Sequence, residues 1–109
     1  MLLMFKVFVY GNFIKDHKYN QYYLQGKTLL GKGSIEEYRA YILGSLYGAI
    51  PENGGRVQGE VYEIDQAALA KLDFLHNLGT TFSRSIVDVK MENGETLQAE
   101  TYIWNGGVS

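Results

Sequence analysis

The sequence contains no cysteine, so no disulfide framework and no thiolate zinc site can hold it together. That absence is consistent with a reducing cytoplasm, the compartment expected for the chain. It has no excess of positive charge: the formal net charge of -2 gives no reason to expect a polyanion, and nucleic acid is not an expected partner. It has no apolar run approaching the length of a membrane span, and the opening Met1-Leu2-Leu3-Met4-Phe5-Lys6 lacks the basic region and small-residue cleavage site of a signal peptide. A single proline stands against thirteen glycines and nine tyrosines, a balance that favours strands and turns with polar-tipped aromatic surfaces. The 109 residues, 46% hydrophobic and 20% charged, suit one globular domain (1–109) with one core.

The stretch around which the rest is organised is Val7-Phe8-Val9-Tyr10-Gly11-Asn12-Phe13. An apolar run stopping at Gly-Asn reads as a buried strand entering a sharp turn, because both residues tolerate positive φ. The amides of Tyr10, Gly11, Asn12 and Phe13, without a neighbouring strand, can converge into a nest for a carboxylate or another small anion. An ordinary strand-ending turn is the alternative reading of the same residues.

Ile14 to Lys18, containing His17, is polar and basic and is expected to be an exposed loop; Asn20 to Leu24 can form a short helix. Glycines at 26, 31, 33, 44 and 48, among Tyr38, Tyr41, Ile42, Leu43, Leu46 and Tyr47, suggest short curved strands. Pro51-Glu52-Asn53-Gly54-Gly55 reads as the clearest loop. From Val57 to Ile64 the alternation of Val57, Gly59 and Val61 with Gln58, Glu60 and Tyr62 predicts a strand. Asp65 is placed to N-cap a helix over Gln66 to His76, with Leu69, Leu72 and His76 on one stripe and Ala68 and Leu75 flanking it. Leu78-Gly79-Thr80-Thr81 is expected to end that helix and lead into a strand over Phe82 to Met91.

The last hairpin permits a register argument. A two-residue turn at Asn93-Gly94 would set Val89 against Gln98 and mix core with solvent. A three-residue loop, Glu92-Asn93-Gly94 with Gly94 left-handed, instead pairs Val89 with Leu97, Val87 with Ala99, and Arg84 with Tyr102. Arg84 and Tyr102 then share the face opposite the valines, either as a surface pair or as part of a site. The tail Gly106-Gly107-Val108-Ser109 is expected to fray. No Asp/Glu/His cluster has metal-ligand spacing, and no serine sits in a nucleophile elbow.

Taken together, Val9-Tyr10-Gly11 after an opening strand, Gly59-Glu60-Val61-Tyr62, Leu72-Asp73 in a helix, Arg84 opening a strand and the closing Thr101-Tyr102-Ile103 resemble the gamma-glutamylcyclotransferase-like (AIG2-like) family. The resemblance implies an α+β fold, a small mixed closed β-barrel of about six strands with one or two packed helices. It also implies conversion of a small γ-glutamyl amine or peptide to 5-oxoproline and a free amine, without metal or cofactor. The family loop matching Tyr10-Gly11-Asn12-Phe13 supplies substrate-binding amides; here Asn12-Phe13 replaces Ser or Thr followed by Leu. The family carries its general-base glutamate three residues after the aspartate of Leu-Asp, and that position is His76. Neutral histidine offers an acceptor without the carboxylate's countercharge, so His76 reads either as a substitute base or as a hydrogen-bonded core residue in a domain that only binds a small carboxylate. Phe82-Ser83-Arg84 keeps the family's aromatic-any-arginine pattern with a phenylalanine for the usual tyrosine. Arg84 and Tyr102 are the remaining candidate substrate contacts; edge aromatics leave a homodimer or a purely structural module open.

Overall fold

A computed structural model describes residues 3–106. Its elements run β1 (Met4–Val9), a 3-10 turn (Gly11–Phe13), α1 (Asn20–Tyr23), β2 (Thr28–Leu43), β3 (Leu46–Asp65), α2 (Gln66–Leu75), β4 (Phe82–Met91) and β5 (Thr96–Trp104). The strands close into a mixed barrel in the order β1-β3-β2-β4-β5, sealed by parallel pairing of β1 with β5 at Val7 and Glu100.

The apolar run Val7-Phe8-Val9 that ends β1 follows from burial on both faces. Phe8 points into the barrel among Val57, Val61, Val87, Val89 and Ala99, whereas Val7 and Val9 point outward into a second apolar layer beneath α2. That outer layer holds Leu69 and Leu72 of the helix against Tyr62, Ile64, Phe82 and Tyr102 of the sheet. Leu72 is fully buried, and burial of such a side chain contributes roughly 1.5–3 kcal/mol. Asp65 caps α2 as expected, its Oδ1 accepting from the Ala68 amide at 2.9 Å. The far end closes one residue beyond His76. Asn77, at φ +48, takes the left-handed position, and the Asn77 and Leu78 amides donate to Phe74 O and Asp73 O, both at 3.1 Å. Asn77, not Gly79, is thus the residue that ends the helix.

The strand count is five, not six, and the difference lies in β2 and β3. The segments expected as short curved strands are two long ones, of 16 and 20 residues, paired as one hairpin from Thr28 with Glu63 to Leu43 with Leu46. The expected loop at Pro51 to Gly55 lies inside β3 as a bulge: residues 52–55 stand opposite Glu37 alone, which adopts φ +68. Gly59 marks where barrel walls meet, since a Cβ there would fall 2.1 Å from Val9 O. The final hairpin adopts the three-residue register, with Val89 facing Leu97, Val87 facing Ala99, Arg84 facing Tyr102 and Gly94 at φ +90. Of the tail expected to fray, residues 107–109 lie outside the described residues.

Candidate functional site

β1 delivers the chain to the site. Tyr10 is still extended, and Gly11 then turns at φ +66 into the 3-10 turn. Glycine is required at 11 for a second reason: a Cβ would lie 2.6 Å from Cδ1 of Tyr47, whose ring covers the turn. The Phe13 amide folds back toward Tyr10 O at 3.4 Å. No hydrogen bond among the described residues engages the Gly11 or Asn12 amide, the usual condition of the first amides of a helical turn. Two amides of the expected nest are therefore open.

Side chains fix the turn in place. Asn12 Nδ2 donates to Ser45 O at 3.1 Å, tying the turn to the tip of the β2–β3 hairpin, and Asn20 Nδ2 donates to Phe13 O at 2.7 Å. Buried Glu60 accepts from the Lys15 amide at 2.8 Å and from the Tyr62 hydroxyl at 3.3 Å. Glu60 is thus engaged in anchoring the loop to β3.

The turn meets the C-terminal end of α2 at a ring stack. His76 is buried and lies parallel to Tyr102, with centroids 3.8 Å apart, while Phe13 stacks at 5.2 Å and Phe82 presents its edge at 5.0 Å. His76 Nδ1 lies 2.7 Å from Leu72 O. A carbonyl can only accept, so Nδ1 carries the proton and Nε2 is left as the acceptor. Burial lowers the His76 pKa to about 4, with the Leu72 carbonyl and the charge of Asp73 acting in the opposite direction. At neutral pH the ring is uncharged. Phe8, Val9, Tyr10, Phe13, Tyr47, His76 and Tyr102 enclose a cavity of about 10 Å³, room for a single water.

The other residues singled out in the sequence divide between this cavity and its supports. The Tyr10 hydroxyl donates to Tyr102 O at 2.5 Å and accepts from the Ala49 amide at 2.9 Å, bridging β5 and β3; burial raises its pKa. Tyr102 faces the cavity with its ring but donates its hydroxyl to Asp73 at 2.6 Å. Arg84 binds the other oxygen of Asp73 and reaches Glu100 at 2.8 Å, and these carboxylates raise its pKa. Arg84 and Tyr102 thus converge on Asp73, and Arg84 is not part of the cavity wall. Thr101 of the same motif donates to Phe8 O at 2.9 Å and fastens β5 to β1.

Tyr47 drew no attention as a site residue in the sequence, because only the pairing of Ile42 with Tyr47 and Ala40 with Ala49 carries it back over Gly11. Outside the cavity, and sharing Tyr10 and Tyr47 with it, lies a larger groove of about 370 Å³ that includes Gly11, Asn12, His17, Arg39, Arg56 and Gln58. Among the described residues no group of three His, Asp or Glu is placed to hold a metal ion, and no helix is long and apolar enough to cross a membrane.

The chain is similar to known proteins in sequence and fold. Residues 7–109 match the family described as gamma-glutamyl cyclotransferase, AIG2-like. The chain is 42% identical over 82 residues to the gamma-glutamylcyclotransferase family protein YtfP of Escherichia coli, covering 75% of this chain and 71% of that protein. The solution structure of YtfP from the same organism superposes with a TM-score of 0.69 at 38% identity, over 94% of this chain and 85% of that one. A crystal structure of an AIG2-like protein from Mus musculus shares the fold with a TM-score of 0.85 at 23% identity, covering 96% and 80% of the two chains. The chain belongs to the gamma-glutamylcyclotransferase, AIG2-like family.

Proposed function

We propose that the protein binds a small γ-glutamyl amine or peptide at the turn formed by Tyr10 to Phe13 and converts it slowly to 5-oxoproline and the free amine. The observation that carries this reading is that Tyr10 and Phe13, the two ends of that turn, line one cavity with His76, whose Nε2 is left as the acceptor. In the reaction the α-amine of the glutamyl group attacks its own γ-carbonyl. A C–N bond forms within the new five-membered ring, the original amide C–N bond breaks, and the α-ammonium gives up two protons that both end on the departing amine, which leaves as an ammonium ion: one is lost from the ring nitrogen after attack, and the other must be taken by a base before the amine can attack. The reaction needs no external nucleophile, so the protein's part is to fold the substrate, hold its α-carboxylate and move those protons.

The open amides of Gly11 and Asn12 suit the α-carboxylate, and His76 Nε2 suits the ammonium proton. A base with a pKa of about 4 takes up a proton weakly at neutral pH and supplies no negative charge to attract the ammonium, which is why turnover is slow. Substrate entry also requires a wall to move, because the cavity holds about 10 Å³. Tyr47, half-buried between the cavity and the outer groove, is the wall in position to do so. The same low basicity favours a second reading, a non-catalytic domain that holds a small carboxylate on the same amides.

Thermal-shift titration with L-glutamate, 5-oxoproline and a γ-glutamyl amine, run beside an assay of 5-oxoproline release, tests both. Stabilisation by these ligands with slow release is the expected result; binding with no release at any enzyme concentration selects the second reading. Absence of any ligand-induced shift would contradict both.

A further inference from the structure

Where β2 crosses the barrel wall between its two neighbours, Ser34 stands opposite Gln58 of β3 and Lys90 of β4. Ile35, Val57, Val89 and Met91 belong to the barrel interior. Alternation therefore sets Lys32, Ser34, Gln58 and Lys90 on the outer face, where a space of about 310 Å³ opens. None of Tyr10, Phe13, Tyr47 and His76 lines this space, so it is separate from the cavity at the turn. Ser34 is 4% exposed, yet its hydroxyl makes no hydrogen bond among the described residues. No fully enclosed side-chain nitrogen or oxygen among them lacks a partner, so the Ser34 oxygen opens onto the space. Cations gather around it against the sign of the chain, whose net charge is -2. Lys32 and Arg56 have no ion pair among the described residues, and Lys90 meets only Glu36, at 3.1 Å, with both side chains exposed. Two carboxylates share the wall. Glu60 is taken up by the Lys15 amide and the Tyr62 hydroxyl, and Glu92 is exposed beyond the end of β4.

We propose that this outer face of the barrel is a second binding site, one for a phosphate group, with the Ser34 hydroxyl and the Lys32 and Lys90 ammonium groups as its donors. Lys32 and Ser34 rise two residues apart on β2 and Lys90 stands across on β4, so the donors meet a ligand from different directions. That arrangement suits the tetrahedral oxygens of phosphate better than the plane of a carboxylate, and an ammonium approaches phosphate as a point charge with no preferred plane. A phosphate monoester carries a charge of about -1.5 to -2 at neutral pH, enough to engage Lys32 and to draw Lys90 from its exposed contact with Glu36. The space is larger than the ion, so a phosphomonoester of a small metabolite and inorganic phosphate present the same group to it. The assignment does not depend on what occupies the cavity at the turn.

The test is calorimetric titration with inorganic phosphate and, separately, with glycerol 3-phosphate, at neutral pH and constant ionic strength. It is run on the native protein, Ser34→Ala, Lys32→Ala and Lys27→Ala; Lys27 is exposed, lies outside the space and controls for the loss of one positive charge. The native protein is expected to bind the phosphate group. Ser34→Ala should weaken binding about tenfold, as loss of a hydrogen bond to a charged group does. Lys32→Ala should weaken it about threefold, because an exposed charge is partly screened, and Lys27→Ala should leave it unchanged. On saturation the amide NMR signals of Lys32, Ser34 and Lys90 should shift. Tighter binding of glycerol 3-phosphate would identify a phosphorylated metabolite as the ligand, and equal or tighter binding of the bare ion would identify inorganic phosphate. Failure of both to bind the native protein overturns the proposal, as does native-like binding by Ser34→Ala. Equal weakening by Lys27→Ala and Lys32→Ala overturns it by showing attraction without a site, and signal shifts confined to Gly11 and Asn12 overturn it by placing the anion at the turn.

Discussion

The two polar regions flanking the cavity are built in opposite ways. On the helix side, Asp73, Arg84, Glu100 and the Tyr102 hydroxyl form a closed network in which each group has a partner, and His76 beside it is hydrogen-bonded and neutral. On the β2–β3 side, Arg56 and the Gly11 and Asn12 amides are donors without acceptors among the described residues. Paired charges at partial burial hold α2 to β4 and β5 and have no capacity left for a ligand. Unpaired donors at a groove contribute little to folding and are available to one. The comparison predicts that substitutions on the helix side act on stability and those on the groove side act on binding.

The largest stability effect is expected from pH acting through His76. In the unfolded chain its pKa is near 6.5, whereas in the folded protein burial lowers it to about 4. Between these values the unfolded state binds more protons, so this contribution is fully present above 6.5 and is lost as pH falls to about 4. Across that window the loss is on the order of 3 kcal/mol. Carboxylates elsewhere also titrate there, so the readout is a difference: urea unfolding at pH 7.5 and 4.5 should show a smaller acid-induced loss in His76→Gln than in the native protein. Parallel losses in the two would mean that His76 is not buried as described.

Asp73→Ala should follow, at about 2 kcal/mol, because it leaves the nearly buried Tyr102 without an acceptor for its hydroxyl and removes one of the two carboxylates on Arg84. Partial exposure of the Asp73–Arg84 pair, 24% and 23%, keeps the figure below that of a fully buried ion pair. Tyr102→Phe, which keeps the ring stack and loses only the hydroxyl, should cost about 1 kcal/mol. Arg56→Ala should change the unfolding midpoint least, within about 0.5 kcal/mol, as an exposed side chain without partners should. A destabilisation by Arg56→Ala equal to that of Asp73→Ala would erase the distinction between the two sides.

How much of this was legible in the sequence follows the same division between local and distant causes. The turn after β1, the Asp65 cap and the register of the last hairpin were readable because each depends on residues within a few positions of one another: Gly11 for the positive φ, Asp65 for Ala68, Gly94 for the alternation on both strands. The continuity of β2 and β3 was not, since Pro51 and the glycines after it carry a loop signature, and only pairing with Tyr38 and Glu36 on the other strand makes that segment a bulge. The position of His76 on the Leu69 and Leu72 stripe was visible, but its environment was not. The stack on Tyr102, the bond to Leu72 and the depressed basicity arise where the turn, the helix end and β5 come together. Tyr47 over Gly11 and Asp73 on Tyr102 are likewise tertiary contacts that no short window of sequence contains.

The central claim is that position 76 is where the proton of the substrate ammonium is taken, and that histidine there makes the step slow. The most direct measurement is the rate of 5-oxoproline release from γ-glutamylglycine at pH 7.5 by the native protein, His76→Ala and His76→Glu, each checked for cooperative thermal unfolding. The account predicts slow release by the native protein, none above background in His76→Ala, and a gain of about tenfold or more in His76→Glu, where a carboxylate both attracts the ammonium and accepts its proton. Rapid release by the native protein that persists unchanged in His76→Ala would contradict it, and Glu60, buried on the neighbouring strand, would become the next residue to replace.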